Sequence, residues 1–233
     1  MRPVHALHAI IFDFDGVIAD SEQLHLKAFQ QVLGSRGLTL TEADYYRSYL
    51  GFDDGGVFRQ VMTDRGLPVP AGADMAALID EKGTAYDALA AAGEMLYPGA
   101  ADFIRAAAQA VPVAIASGAH TREIDEVLTR AGLRSLFPVV VGADQTQRSK
   151  PDPEPYRTAL LRLQAHCGRT LDPWRTVAIE DSHWGLASAK GADLRLVAVS
   201  TTYPAHDLRP HAELVTTGLS ALTIEMLDAL VGD

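Results

Sequence analysis

Asp13 and Asp15 follow the apolar run Ala9–Phe12 and are separated by one residue. On extended backbone they face the same side, roughly 6.6 Å apart along the chain. Two carboxylates so spaced can flank one reacting centre, one attacking while the other exchanges a proton with the leaving group. They can also hold a hard cation through oxygen, or one can cap a turn while the other is solvated. Gly16 permits the tight turn that follows. Three further segments carry complementary groups. Ser117-Gly118, after residues 111–116, offers phosphate oxygens a hydroxyl and an accessible backbone N–H, although such a pair also makes an ordinary turn. Lys150, held before Pro151, can neutralise phosphate as a point cation or simply be solvated. Glu180-Asp181, after residues 177–179, sets two acids side by side. A divalent cation would relieve their repulsion, while a helix start would also favour them.

The elements that must position these groups are legible as short apolar, β-branched runs. They lie at Ala9–Phe12, 111–116, Val139–Val141, 177–179, 196–199 and, more weakly, 214–215. Runs apolar on both faces read as strands covered by helices on each side. Between them, Thr121 reads as the cap of a helix carrying Ile124, Val127 and Leu128 and stopped at Gly132. Asp152 reads as the cap of another, with Pro153 in its first turn and Tyr156, Leu160 and Leu163 on one face. Strand alternating with helix predicts an α/β fold with a doubly wound parallel, Rossmann-like sheet. Ligands in such sheets bind beyond the carboxyl ends of the strands, so the four segments should converge.

One interval breaks the alternation. From Asp20, which forms a capping-box pattern with Gln23, the periodicity is helical, with Leu26, Phe29 and Leu33 buried. Gly34 and Gly37 end that helix, Thr41 can start another, and residues 66–72 form a loop. An alanine-rich stretch (including 88–92) follows and breaks at Pro98-Gly99. A right-handed crossover needs only one helix. Residues 21–96 therefore read as an inserted all-helical domain, with 1–20 and 97–233 forming the core.

Composition narrows the function. The 233 residues carry a net charge of −10, with 48% apolar and 21% charged residues, ordinary values for a globular chain. The acidic balance excludes an electrostatic footprint for nucleic acid or an anionic membrane surface. The single cysteine, Cys167, excludes an internal disulfide and a multi-cysteine metal site, and reads as structural. Residues 1–9 lack a long apolar segment, and no run approaches the roughly 20 residues of a spanning helix. A soluble cytoplasmic monomer is expected. His5, His8, His166, His206 and His211 show no metal spacing; His120 and His183 flank the reactive segments, and Trp184 reads as packing at a helix start.

The order Asp, Ser, Lys, Asp, each after its own strand, resembles the four motifs of the haloacid dehalogenase-like (HAD) superfamily. The resemblance extends to the helical cap between the first two. It implies that Asp13 attacks phosphorus to give an aspartyl-phosphate and that Asp15 is the general acid and then the base. Mg²⁺ would be held by Asp13, the backbone carbonyl of Asp15 and Asp181, with Glu180 as ligand or orienter. Ser117, the N–H of Gly118 and Lys150 would bind the phosphoryl oxygens. The presence of Asp15 argues against the namesake dehalogenases, and the Asp13-Phe14-Asp15 pattern against phosphonatases.

Asp15 to Glu22, then His25 and Lys27-Ala28-Phe29, resemble the β-phosphoglucomutase-like group, in which His25 and Lys82 match cap residues of the mutase. The mutase grips a distal phosphate with an arginine where this chain has Asp54, so a phosphatase is favoured over a phosphomutase. Phe52 and Asp54 lie on the loop expected to select substrate. The resemblance implies a Mg²⁺-dependent phosphatase acting on a small phosphorylated metabolite, a sugar or polyol phosphate. The alternatives are a phosphomutase and a catalytically silent metabolite- or partner-binding protein.

Overall fold

The computed structural model describes residues 6–20, 22–50, 52–91 and 95–232; His5, Ser21 and Ala92 lie outside them. After strand β1 (Ala9–Phe12) come helices α1 (Glu22–Gly34), α2 (Glu42–Asp44), α3 (Asp54–Asp64) and α4 (Ala73–Ala91). Helix α5 (Ala100–Ala110) then leads into β2 (Val113–Ala116), α6 (Thr121–Arg130), β3 (Val139–Val141) and α7 (Glu154–Cys167). The chain finishes with β4 (Thr176–Glu180), α8 (His183–Gly191), β5 (Arg195–Val199), α9 (Ala205–Leu208), β6 (Leu214–Thr216) and α10 (Ile224–Gly232). No helix among the described residues is long and apolar enough to cross a membrane.

The chain divides into two compact units, Met1–Asp20 with Met95–Asp233, and Ser21–Glu94. Met95 and Leu96, assigned to the insert by pattern alone, fall in the sheet unit. The Asp20 N–H donates to the Met95 carbonyl at 2.7 Å, and Ala19 bridges Leu96 antiparallel.

In the first unit the strands form one parallel sheet in the order β3-β2-β1-β4-β5-β6. The four residues of β1 are all buried, because both faces are covered. Ala9 and Ile11 join the cluster of Tyr156, Leu160 and Leu163 from α7, while Phe12 meets Phe103 and Phe137 edge-on. The sheet builds from β1 toward β3, and the chain then returns to β4 on the other side of β1. That reversal opens a crevice beyond the ends of β1 and β4. Phe12 pairs with Ile179 and the Asp13 N–H donates to the Ile179 carbonyl at 2.9 Å, which brings Asp13 level with Glu180.

Helix starts differ from the capping patterns by a residue or two. Thr121 is the first residue of α6 and His120 its cap, because the Thr121 N–H and hydroxyl are both drawn to Asp144 at 2.8 Å. Asp152 sits one position before the α7 cap, Pro153, but its carboxylate accepts from the Glu154 N–H at 2.9 Å. Helix α1 begins at Glu22, and the Asp20 capping box reaches it through Ser21, outside the described residues. The Asp20 N–H is engaged by the Met95 carbonyl and its carboxylate accepts from the Tyr97 hydroxyl.

The second unit has its own core, in which Leu26, Phe29 and Leu33 of α1 pack with Phe58 and Val61 of α3. Thr41 caps α2, which continues into a π-helical turn, Tyr45–Tyr49. The Asp53 carboxylate caps α3 through the Gly56 N–H.

Candidate active site

The sheet ends gather a buried charge cluster. Asp13, leaving β1, is 7% exposed, and Lys150 reaches it from the loop between β3 and α7. Lys150 Nζ lies 2.8 Å from Asp13 Oδ1, an ion pair without hydrogen-bond alignment, and donates to Glu180 Oε1 at 2.6 Å. Oxygens of Asp13, Glu180 and Asp181 lie within 4.8 Å of one another. Ser117, buried, follows β2 at the same edge; its N–H donates to the Val141 carbonyl, and its Oγ accepts from the Ala119 N–H at 3.0 Å. Gly118 is exposed, with open space where a Cβ would project. Asp15 is partly exposed, its backbone bridging Ala19. Gly16 turns the chain at φ +76°, and any side chain there would overlap the Asp181 carboxylate.

Acids outnumber cations in this cluster. Burial first, then the Glu180 charge, pushes the Asp13 carboxyl up to about 7, with Lys150 opposing. Burial, then Glu180 and Asp13, drives Asp181 well above the carboxylate range. Burial alone would lower Lys150, but the Asp13 and Glu180 charges outweigh it and hold the ammonium protonated. Close buried oxygens that resist ionisation together are what a hard divalent cation relieves, so the residues present fit Mg²⁺.

Glu180 differs from the other two acids. Oε1 accepts from Lys150 and from the Tyr156 hydroxyl at 2.8 Å; Oε2 accepts from the Asp181 and Ser182 N–H groups and the Ser182 hydroxyl. Both Glu180 oxygens are thus engaged by protein donors, the Lys150 ammonium among them. Gly185 must remain glycine, since a Cβ would fall inside that carboxylate.

Residues 10–199 match the haloacid dehalogenase-like hydrolase family. The chain belongs to that family. Protein CbbY of Cereibacter sphaeroides is 34% identical over 210 residues, covering 86% of this chain and 87% of CbbY. The phosphorylated carbohydrates phosphatase of Thermotoga maritima is 30% identical over 220 residues, covering 93% and 94%. Among solved structures, CbbY from Rhodobacter sphaeroides in complex with xylulose-(1,5)bisphosphate superposes with a TM-score of 0.81 at 30% identity, covering 95% of this chain and 99% of that one. This HAD hydrolase is accordingly a phosphomonoester hydrolase.

Some residues of the HAD site escaped sequence reasoning. Tyr156 reads as one more apolar position on α7, yet its hydroxyl holds Glu180 and its ring lies 5.1 Å from Lys150 Nζ. A phenol on an otherwise apolar helix face is a signal for it. Thr202, which donates to Asp181 Oδ2, gives no sequence signal. Trp184 is 59% exposed rather than packed, because α8 buries Leu186 and Ala189 instead. His183 packs against Tyr203 and His211. His120 stays exposed, its ring 4.0 Å from Asp144. Cys167 lies partly buried against the core.

In the helical unit His25, Asp54 and Lys82 come together and Phe52, 51% exposed, does not join them. Lys82, 2% exposed, donates to Asp54 Oδ1 at 2.8 Å and to His25 Nδ1 at 2.6 Å. An ammonium has no lone pair, so Nδ1 accepts and the imidazole carries its proton on Nε2. Burial, then the Lys82 charge, keeps His25 well below its ordinary pKa, and its ring stacks on Tyr86. Arg59 faces Asp53 at 3.5 Å.

Proposed function

We propose that the chain is a Mg²⁺-dependent phosphatase of a small sugar or polyol phosphate, working through an aspartyl-phosphate on Asp13 as a cytoplasmic monomer. The observation that carries this reading is the buried ion pair of Asp13 and Lys150 at 2.8 Å, beside Asp181. The carbohydrate-phosphate phosphatase of Thermotoga and the sugar bisphosphate bound by CbbY support the substrate class.

In this mechanism Asp13 attacks phosphorus, and Lys150, Ser117 and the Gly118 N–H hold the equatorial oxygens as charge shifts onto them. Lys150 also favours the ionised form of Asp13 against the burial that would protonate it. Asp15, less buried than Asp13, protonates the departing alkoxide and then takes a proton from the water that hydrolyses the acyl phosphate. Asp13, the Asp15 carbonyl and Asp181 would hold Mg²⁺, which, when bound, neutralises phosphoryl charge and relieves the carboxylate repulsion. Glu180 orients Lys150.

A phosphate-release screen over phosphorylated metabolites, with Mg²⁺ and with EDTA, tests the proposal. Release with Mg²⁺ only, abolished by Asp13→Asn, is expected. Isomerisation of a hexose 1-phosphate given trace bisphosphate, without phosphate release, would instead mean a mutase. No release from any substrate, unchanged by Asp13→Asn, would mean a binding protein.

A further inference from the structure

Two adjacent threonines in the loop after β5 each reach a different reactive segment. The Thr202 hydroxyl donates to Asp181 Oδ2, and the Thr201 hydroxyl donates to the carbonyl of Gly16, the residue after Asp15. These contacts span 21 and 185 residues of sequence respectively, so neither is a by-product of local turn geometry. The site is tight: a Cβ on Gly16 would lie 3.0 Å from Thr202 Oγ1 as well as overlapping Asp181. The turn after Asp15, the Asp181 carboxylate and the threonine pair are thus packed in mutual contact.

We propose that Thr202 is a positioning residue for Mg²⁺: by occupying Asp181 Oδ2 it fixes the carboxylate's rotation and leaves Oδ1 as the single ligand oxygen. Thr201 anchors the same loop to the Asp15-Gly16 turn, so the carboxylate and the Asp15 carbonyl are held in register with each other. This rests on the reading of Asp181 as a ligand. A carboxylate with one oxygen tied down loses little rotational freedom on coordination, and partners of this kind commonly change metal affinity about 10–100-fold when removed.

The test is Mg²⁺ binding to the intact, substrate-free protein by calorimetry, with the Mg²⁺ dependence of turnover alongside. Thr202→Val should weaken binding about tenfold or more. Thr202→Ser, which keeps the hydroxyl, should stay within about twofold of wild type, and saturating Mg²⁺ should restore most of the Thr202→Val turnover. Asp181→Asn serves as the reference. If Thr202→Val binds Mg²⁺ like wild type while Asp181→Asn does not, the positioning role is overturned and the site reading stands. If Asp181→Asn also binds normally, Asp181 is not a ligand and both fall. Should Thr202→Val fail to fold, Thr202→Ser against Thr202→Ala decides: equal affinity in that pair overturns the role.

Discussion

Two lysines sit in largely buried clusters, and their surroundings teach opposite lessons. Lys150 faces two carboxylates at 2.8 and 2.6 Å, with the third acid, Asp181, in the same cluster, so its one positive charge cannot balance all three in ionised form. Lys82 faces a single carboxylate, Asp54, and a histidine kept neutral, and that cluster neutralises itself. Burying unbalanced charge is costly unless a further ion completes it. On the proposed function, the sheet cluster is completed by a cation and a phosphoryl group, while the helical-unit cluster balances its own charge.

The largest expected difference is in turnover. Lys150→Met leaves Asp13, Glu180 and Asp181 uncompensated and should lower kcat about 10²–10³-fold in a phosphate-release assay. Lys82→Met should cost less than about tenfold there and appear in urea unfolding as about 1–2 kcal/mol, because Asp54, one-third exposed, can turn to water. Equal losses of turnover would erase the distinction.

Acid should separate the clusters next. With metal removed, folded Asp13 keeps a proton up to about pH 7 that the unfolded chain releases near 3.8, so its contribution to stability falls as pH rises between those values. His25 behaves in the opposite sense. Its folded pKa lies well below 6.5, so the unfolded chain protonates first and stability falls as pH drops below that value. Each slope is at most about 1.4 kcal/mol per pH unit. Urea unfolding across this range should show Asp13→Asn weakening the first trend, to which the raised Asp181 carboxyl also contributes, and His25→Gln removing the second; a single variant affecting both would mean the clusters are coupled.

The smallest contrast lies in two helical glycines. Gly83, in α4, has open space within 4 Å of where an added methyl would sit, and Gly83→Ala should stabilise by about 0.5–1 kcal/mol. Gly185→Ala, aimed into the Glu180 carboxylate, should destabilise by about 1–3 kcal/mol in the same unfolding assay.

Much of this was legible in one dimension. Strands buried on both faces announce themselves, and Asp13, Ser117, Lys150 and Asp181 follow β1, β2, the β3–α7 loop and β4 as the patterns indicate. Asp13, Ser117 and Asp181 lie directly at strand ends, where position along the chain nearly determines position in space, and Lys150 lies in the loop after β3. What was hidden depends on tertiary neighbours. Thr121 loses the role of cap because Asp144, distant in sequence, captures it. Tyr156 and Thr202 acquire theirs only when α7 and the loop after β5 meet β4. The donors that engage both Glu180 oxygens come from α7, the β3–α7 loop and the turn after β4, and no spacing rule supplies them.

Where the Asp20 N–H meets the Met95 carbonyl, the chain departs from the sheet and re-enters it at one point. Groups already 2.7 Å apart need only a short turn to join them, and the closure entropy of whatever is spliced between grows slowly with its length. Residues 21–94 are in that sense a replaceable cassette. The register of β1 against β2 and β4 is set by pairing inside the sheet unit, so the strand scaffold can stay constant while different inserts are joined at the same two anchor residues.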